Sequence, residues 1–263
     1  MVIMVALLAA CGGKSVIAED AGSDAASTTD AGVDAATDAG SDAGSDAGTD
    51  AGTDAGTDAG FDAGFDAGTD AGPPMVVDLD FEGALPPTVV PVSCDATPSQ
   101  GYEPLGPEGN RFGPTFLRCL TGGVITVTIE DLPAHTALDL DFLFAAIDSL
   151  DGEGTFPAGD FFRVDLDGVT IFREAFANAL ESQIQTYSPP VPEIVLARRI
   201  DLGFSGPGSF YTDSAYDFSL DPTFSGIPHT ASRAVFTFTL EGAGVQSLDD
   251  ESWAIDNVRV QPR

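Results

Sequence analysis

Carboxylates set close together in a glycine-broken stretch are the residues of this chain with the plainest chemistry. Asp148-Ser149-Leu150-Asp151-Gly152-Glu153-Gly154, with Asp160 shortly after, offers oxygen ligands that a tight loop can gather. Calcium is a hard cation that takes six to eight oxygens from carboxylates, carbonyls and water. Asp148, Asp151 and Asp160 are therefore candidate calcium ligands, although their spacing is not that of an EF-hand. The competing reading is a solvated acidic turn. Asp78-Leu79-Asp80-Phe81-Glu82 places three carboxylates on one face of a strand, a pattern too generic to assign acid–base work. The two histidines, His135 and His229, each precede a threonine just ahead of a strand and read as structural. There is no His-Glu-x-x-His, no Gly-x-Ser-x-Gly elbow and no phosphate loop. Gly203-Phe204-Ser205-Gly206 lacks the elbow's glycine spacing.

Three cysteines are present. Cys11 closes a short apolar run, Met1 to Ala10, that is too short to cross a membrane, which takes about 20 apolar residues, and that fits a signal segment. Leu8-Ala9-Ala10-Cys11-Gly12 resembles the lipobox of bacterial lipoproteins. That resemblance implies lipidation of Cys11, removal of residues 1–10 and a membrane partner reached through the lipid. Gly12, rather than an aspartate, follows the cysteine, a pattern similar to outer-membrane sorting in Gram-negative bacteria. No Lys or Arg precedes the run, which departs from the usual signal. In an oxidising compartment the remaining even pair, Cys94 and Cys119, is expected to form a disulfide.

From Asp30 to Asp70 an aspartate falls at every fourth position, eleven in all. Ala, Gly and small polar residues separate them, apart from Val33 and the bulky Phe61 and Phe65. A helix would stack like charges at i,i+4, and each glycine costs about 1 kcal/mol there relative to alanine. With almost nothing apolar to bury, residues 11–74 are expected to be a disordered acidic linker, stretched by its own charge. About 60 residues of flexible coil span roughly 40–45 Å before repulsion lengthens them.

Residues 75–263 are long enough for one sizeable core. They carry 28 acidic and 9 basic residues, a charge of −19. That balance argues against nucleic acid and anionic lipid as direct partners. Alternating runs recur: Val76–Phe81, Val124–Ile129, Leu138–Phe144, Phe161–Leu166, Val169–Phe172, Ala234–Leu240 and Ile255–Val260. Asp167-Gly168 between two of them is a strong hairpin signal. Only Glu174 to Gln185 suggests a helical turn or two. The expectation is an all-β fold, an antiparallel two-sheet jelly-roll sandwich following the linker. Most of the phenylalanines are expected in its core.

Three stretches carry a further resemblance: Asp80-Phe81-Glu82-Gly83; Leu132 to Phe142 leading on to Asp148–Gly152 and Gly159–Phe162; and Asp250-Glu251-Ser252-Trp253-Ala254-Ile255-Asp256-Asn257-Val258. Together they are similar to jelly-roll domains of secreted and surface-anchored bacterial proteins, in the style of concanavalin A-like lectins, MAM-type domains and carbohydrate-binding modules. The resemblance spans nearly all of 76–261. It implies adjacent first and last strands, and in several carbohydrate-binding members a calcium ion that ties them. The matching residues are Glu82 and Asp256. It does not imply a single activity, because function on such folds lies in grafted sites. The lipidated cysteine, the long linker and a sandwich without catalytic motifs lead instead to the expectation of a surface binding or adhesion module, for a glycan or a surface protein. Such members usually present Trp or Tyr platforms. Here Trp253 lies inside the closing motif and reads as core, which leaves Tyr187, Tyr211 and Tyr216 as candidate binding aromatics. A polysaccharide hydrolase is the alternative, but the Glu-x-Asp-x-x-Glu strand of lectin-like glucanases is absent.

Overall fold

The computed structural model describes residues 74–154, 159–204, 211–242 and 247–263. Cys11 and the aspartate repeat lie outside the described residues. Eleven strands are present among those described: β1 (Val77–Leu79), β2 (Val89–Pro98), β3 (Thr115–Ile129), β4 (Ala137–Asp148), β5 (Phe161–Leu166), β6 (Val169–Ala175), β7 (Val195–Ile200), β8 (Asp213–Asp217), β9 (Ile227–Pro228), β10 (Ala234–Glu241) and β11 (Glu251–Pro262). All pairs are antiparallel, and the order is β6-β5-β10-β3-β11-β4-β8-β7, with β1 on β11, β2 on β3 and β9 on β4. The fold is all-β, as the alternating pattern requires.

The two halves of the sandwich are one continuous sheet that curls. β3 makes the corner: Leu117–Leu120 pair with β11, and Val124–Ile129 pair with β10. A strand that serves two halves must bend between them. Gly122 takes a left-handed conformation there (φ 77°), and the neighbouring β2 breaks register at Ser93 (φ 59°). Cys94 and Cys119 sit directly opposite each other beside that break and are disulfide-bonded.

Between the halves lies an aromatic core. Phe142 meets Phe238 at 5.3 Å between ring centroids, Phe144 meets Phe162 at 4.1 Å and Trp253 meets Phe162 at 5.5 Å. Trp253 is fully buried and its indole N–H donates to the Leu120 carbonyl. The opposite face of the β3-β11-β4-β8 half is also covered. Ser99 to Phe112 crosses it, and Tyr102, Phe112 and Phe116 pack on Leu143, Ala145, Ile147 and Ala254. Tyr102 Oη donates to the Ala146 carbonyl at 3.2 Å.

β1 and β11 are adjacent, with Val77 opposite Val260. The hairpin at Asp167-Gly168 is present, both residues at positive φ (52° and 78°) as a type I′ turn demands. Two expectations need correction. β1 stops at Leu79, because Phe81 turns at φ 55° and Asp80 Oδ1 accepts from the Glu82 N–H. Glu174–Gln185 holds no helix: β6 runs through Ala175, and Phe176 and Ala177 are then buried in succession. The Ala175 N–H donates to Thr186 Oγ1, which ties the segment back on itself instead of along a helix axis.

Candidate functional site

One end of the sandwich gathers the acidic residues. β4 ends at Asp148, and the chain turns through Gly152 and Gly159, both left-handed (φ 70° and 65°). A β-carbon at Gly152 would lie 2.4 Å from the Ile184 carbonyl oxygen, so the close approach of these two loops requires glycine. Asp151 and Asp160 come together here: the Asp151 N–H donates to Asp160 Oδ2 at 2.5 Å. The third member is Glu251, the first residue of β11. Carboxylate oxygens of Asp151, Asp160 and Glu251 all lie within 4.8 Å of one another. Asp160 is buried. That burial, and after it the charge of Asp151, push its carboxyl up to about 6, against the pull of the Asp151 N–H and a hydrogen bond to Glu251. Burial also raises Asp151, with the Gln183 amide opposing.

Asp148 does not join this trio, which corrects the grouping of Asp148 with Asp151 and Asp160. Its register partner is Glu251, but its own backbone is left-handed (φ 65°), so the side-chain alternation breaks there. Its carboxylate faces Arg118, 3.5 Å away, on the side where Tyr102 and Asp213 lie. Asp148 is fully buried, and neither oxygen has a hydrogen-bond partner among the described residues. Burial and then the Asp213 charge push its carboxyl up to about 8, with Arg118 opposing.

Asp151 also faces outward into a cavity of about 580 Å³, which it lines with Glu153, Leu180, Ser182, Gln183 and Ile184. A second cavity of about 260 Å³ shares Asp151, Leu180 and Gln183 and adds Ser149 and Tyr211. Gln183 Nε2 donates to Asp151 Oδ1, and its Oε1 accepts from the Leu180 N–H, which fixes the amide orientation. Tyr211 is half-buried and its hydroxyl reaches Asp250 Oδ1 at 3.3 Å. Leu180 and Ile184 are 44% and 63% exposed, so the opening is apolar on one side and polar on the other.

Of the three candidate aromatics, only Tyr211 lines this opening. Tyr216 is fully buried against Phe176 and Phe218, and its hydroxyl meets Gln185. Tyr187 is almost fully buried; its hydroxyl donates to Asp221 Oδ2 at 2.8 Å, and burial together with that bond holds the phenol far above its ordinary range. Tyr216 packs in the core, which corrects its reading as a binding aromatic; Tyr187, though packed on the core, also borders a separate cavity of about 400 Å³ with Arg173, Glu174 and Asp221.

Glu82, in the segment after β1, and Asp256, in β11, reach the same point. The Gly113 N–H donates to Asp256 Oδ2 at 2.8 Å, and the Thr115 N–H to Glu82 Oε1 at 2.8 Å. Asp256 is fully buried, which pushes its carboxyl up to about 7; the Gly113 and Asn257 N–H groups oppose, and the charges of Glu82 and Asp80 add to the rise. Glu82 is exposed. The oxygens that would face a cation are partly engaged by peptide N–H groups.

Sequence reasoning missed Glu251 and Gln183. Glu251 was visible only as part of the closing motif, and no local pattern joins it to Asp151. Gln183 lay in the stretch expected to be helical.

No family model matches the chain, and no curated protein does. Among solved structures, the chain is similar to the carbohydrate-binding module TmCBM61 in complex with beta-1,4-galactotriose, at 10% identity over 70% of this chain and 94% of that one, TM-score 0.34. It is also similar to the catalytic domain of a GH87 alpha-1,3-glucanase in complex with nigerose, at 13% identity over 73% of this chain and 29% of that one, TM-score 0.31. A third is a GH115 4-O-methyl-alpha-glucuronidase, BtGH115A, at 13% identity over 68% of this chain and 18% of that one, TM-score 0.31. The chain thus spans nearly all of the first but less than a third of the two enzymes.

Proposed function

We propose that residues 75–263 form a non-catalytic glycan-binding module of the cell surface. The observation that carries this reading is the opening at Asp151, Gln183 and Tyr211. An aromatic ring, a fixed amide, a carboxylate, serine hydroxyls and exposed Leu180 are the groups that meet a sugar's hydroxyls on one side and its C–H face on the other. Calcium at Asp151, Asp160 and Glu251 would stiffen the floor of that opening, because three carboxylates held within 4.8 Å repel one another until a cation neutralises them. A second calcium, at Glu82 and Asp256, would tie β1 to β11. The anchor is lipid on Cys11, with the aspartate repeat as the tether that carries the module away from an outer membrane.

One observation favours hydrolysis instead. Asp160, with its carboxyl at about 6, stands beside Asp151, as an acid–base pair would. Asp160 is buried, however, and does not line the opening, so it has no direct path to a glycosidic oxygen.

A glycan array with the purified chain tests the proposal. Saturable binding of a neutral polysaccharide that is weakened in Tyr211→Ala supports it. A blank array turns the assignment towards protein binding, and release of reducing ends turns it towards an enzyme.

A further inference from the structure

His135 and His229 meet at the far end of a hydrogen-bonded chain that leaves two nitrogens facing each other. His135 lies between β3 and β4, His229 follows β9, and Asp167 sits in the β5–β6 turn. His135 Nδ1 is 2.6 Å from the Pro133 carbonyl oxygen. A carbonyl only accepts, so Nδ1 carries the hydrogen. His229 Nε2 is 3.1 Å from Asp167 Oδ2, and a carboxylate likewise accepts, so Nε2 carries a hydrogen too. Asp167 is itself held, because its Oδ1 accepts from the Val235 N–H at 2.9 Å.

The two remaining nitrogens, His135 Nε2 and His229 Nδ1, are 2.7 Å apart. The rings are close to coplanar, 13° between planes, with centroids 5.0 Å apart. That centroid separation is close to the nitrogen–nitrogen distance plus one ring radius at each side, so the nitrogens meet head-on. In neutral rings with these tautomers, both would present lone pairs. Two lone pairs at that distance repel, and the arrangement is stable only with a positive centre between them. Imidazoles whose second N–H is committed to a carbonyl or a carboxylate are oriented as metal-binding histidines are.

We propose that the gap between His135 Nε2 and His229 Nδ1 is a site for one late first-row divalent ion, such as zinc. Zinc holds imidazole nitrogens at about 2.0–2.1 Å in tetrahedral geometry, which sets two of them about 3.3 Å apart. The rings must part by about 0.6 Å and tilt. His135 is partly exposed on its turn and supplies that movement, while His229 is buried and fixed by Asp167. Water completes the shell on the exposed side. One ion bonds to both nitrogens through the lone pairs that these tautomers present. The chain's charge of −32 favours the ion throughout. Calcium does not compete, because it takes oxygen ligands.

The test is zinc titration of the full chain by calorimetry, with calcium in excess to fill the carboxylate sites. The expected result is saturable uptake of one zinc per chain. His135→Gln should abolish this uptake, and Asp167→Asn should weaken it by about 10–100-fold through loss of the acceptor that orients His229. Circular dichroism of each variant establishes that it is folded. Because His135 is partly exposed, that variant keeps the test open if His229→Gln does not fold. Absence of zinc uptake by the folded wild type overturns the metal site. Uptake unchanged in His135→Gln overturns it as well.

Discussion

Glu82 and Asp256 converge on Gly113: a β-carbon built at that glycine would lie 2.3 Å from Glu82 Oε1 and 3.7 Å from Asp256 Oδ2. The two carboxylates come from the segment after β1 and from the middle of β11, and the β1–β11 pairing brings them together. Calcium that binds here only in the folded state should raise stability by mass action, by about 2.7 kcal/mol at 100 times its dissociation constant. Asp256→Ala should remove that gain, whereas a gain arising at Asp151, Asp160 and Glu251 should survive Asp256→Ala and vanish in Asp160→Ala. Thermal melts with calcium and with chelator separate the two sites. An unmoved wild-type midpoint in chelator would mean that both clusters are simply acidic turns.

Stability should fall as pH rises through the neutral range. Asp160, Asp256 and Asp148 have carboxyls pushed up to about 6, 7 and 8, with burial as the first cause in each case. A raised carboxyl binds its proton more tightly in the folded than in the unfolded chain. The resulting stabilisation is complete below the unfolded value, about 4, and is lost as pH climbs through the folded values to about 8. In chelator, the melting temperature is therefore expected to be several degrees lower at pH 8 than at pH 5. Asp148→Asn cannot ionise and should flatten that slope, even though it leaves Arg118 without its carboxylate. A slope identical to wild type would exclude Asp148 as a contributor.

The Cys94–Cys119 bond closes a loop across the corner where β2 and β3 bend from one half of the sheet to the other. With a sequence separation of 25, the chain-entropy model gives a stabilisation of roughly 3–4 kcal/mol. The double variant Cys94→Ser and Cys119→Ser should lose about that much in urea unfolding. A loss under 1 kcal/mol would point to a reduced chain that already keeps the corner.

Phe144 stacks on Phe162 and touches Phe176 and Phe218 between the two halves. Phe144→Ala should cost about 3–5 kcal/mol. Tyr211→Ala, at a half-buried rim position, should change stability by under about 0.5 kcal/mol while reducing glycan affinity by roughly tenfold, one lost aromatic contact. Equal affinity of that variant and wild type would remove Tyr211 from the binding surface.

Cys11→Ser should release the chain from membranes into the soluble fraction. The check is fractionation of cells expressing each form. A variant that stays in the membrane fraction would rule out lipid on Cys11 as the anchor.

Period-two alternation made β4, β5, β6, β10 and the end of β11 legible, because successive side chains of a strand point to opposite faces. Asp167-Gly168 fixed its own turn, since both positions need positive φ and few other pairs accept it. The Cys94–Cys119 pairing followed from an even count, and the core position of Trp253 from its place in the closing motif. These are local demands, met within a few residues. Tertiary structure decided the rest. Glu251 joins Asp151 and Asp160 from a strand 100 and 91 residues further along the chain. His135 meets His229 across 94 residues. A single left-handed residue, Asp148, sends its carboxylate to Arg118 instead of to the acidic trio. Tyr187 and Tyr216 looked like loop residues beside Tyr211, yet only Tyr211 reaches the opening. Periodicity reports which face a side chain takes along its own strand; which residues share a site depends on the register between strands, and register is set by the whole sheet as it closes on its core.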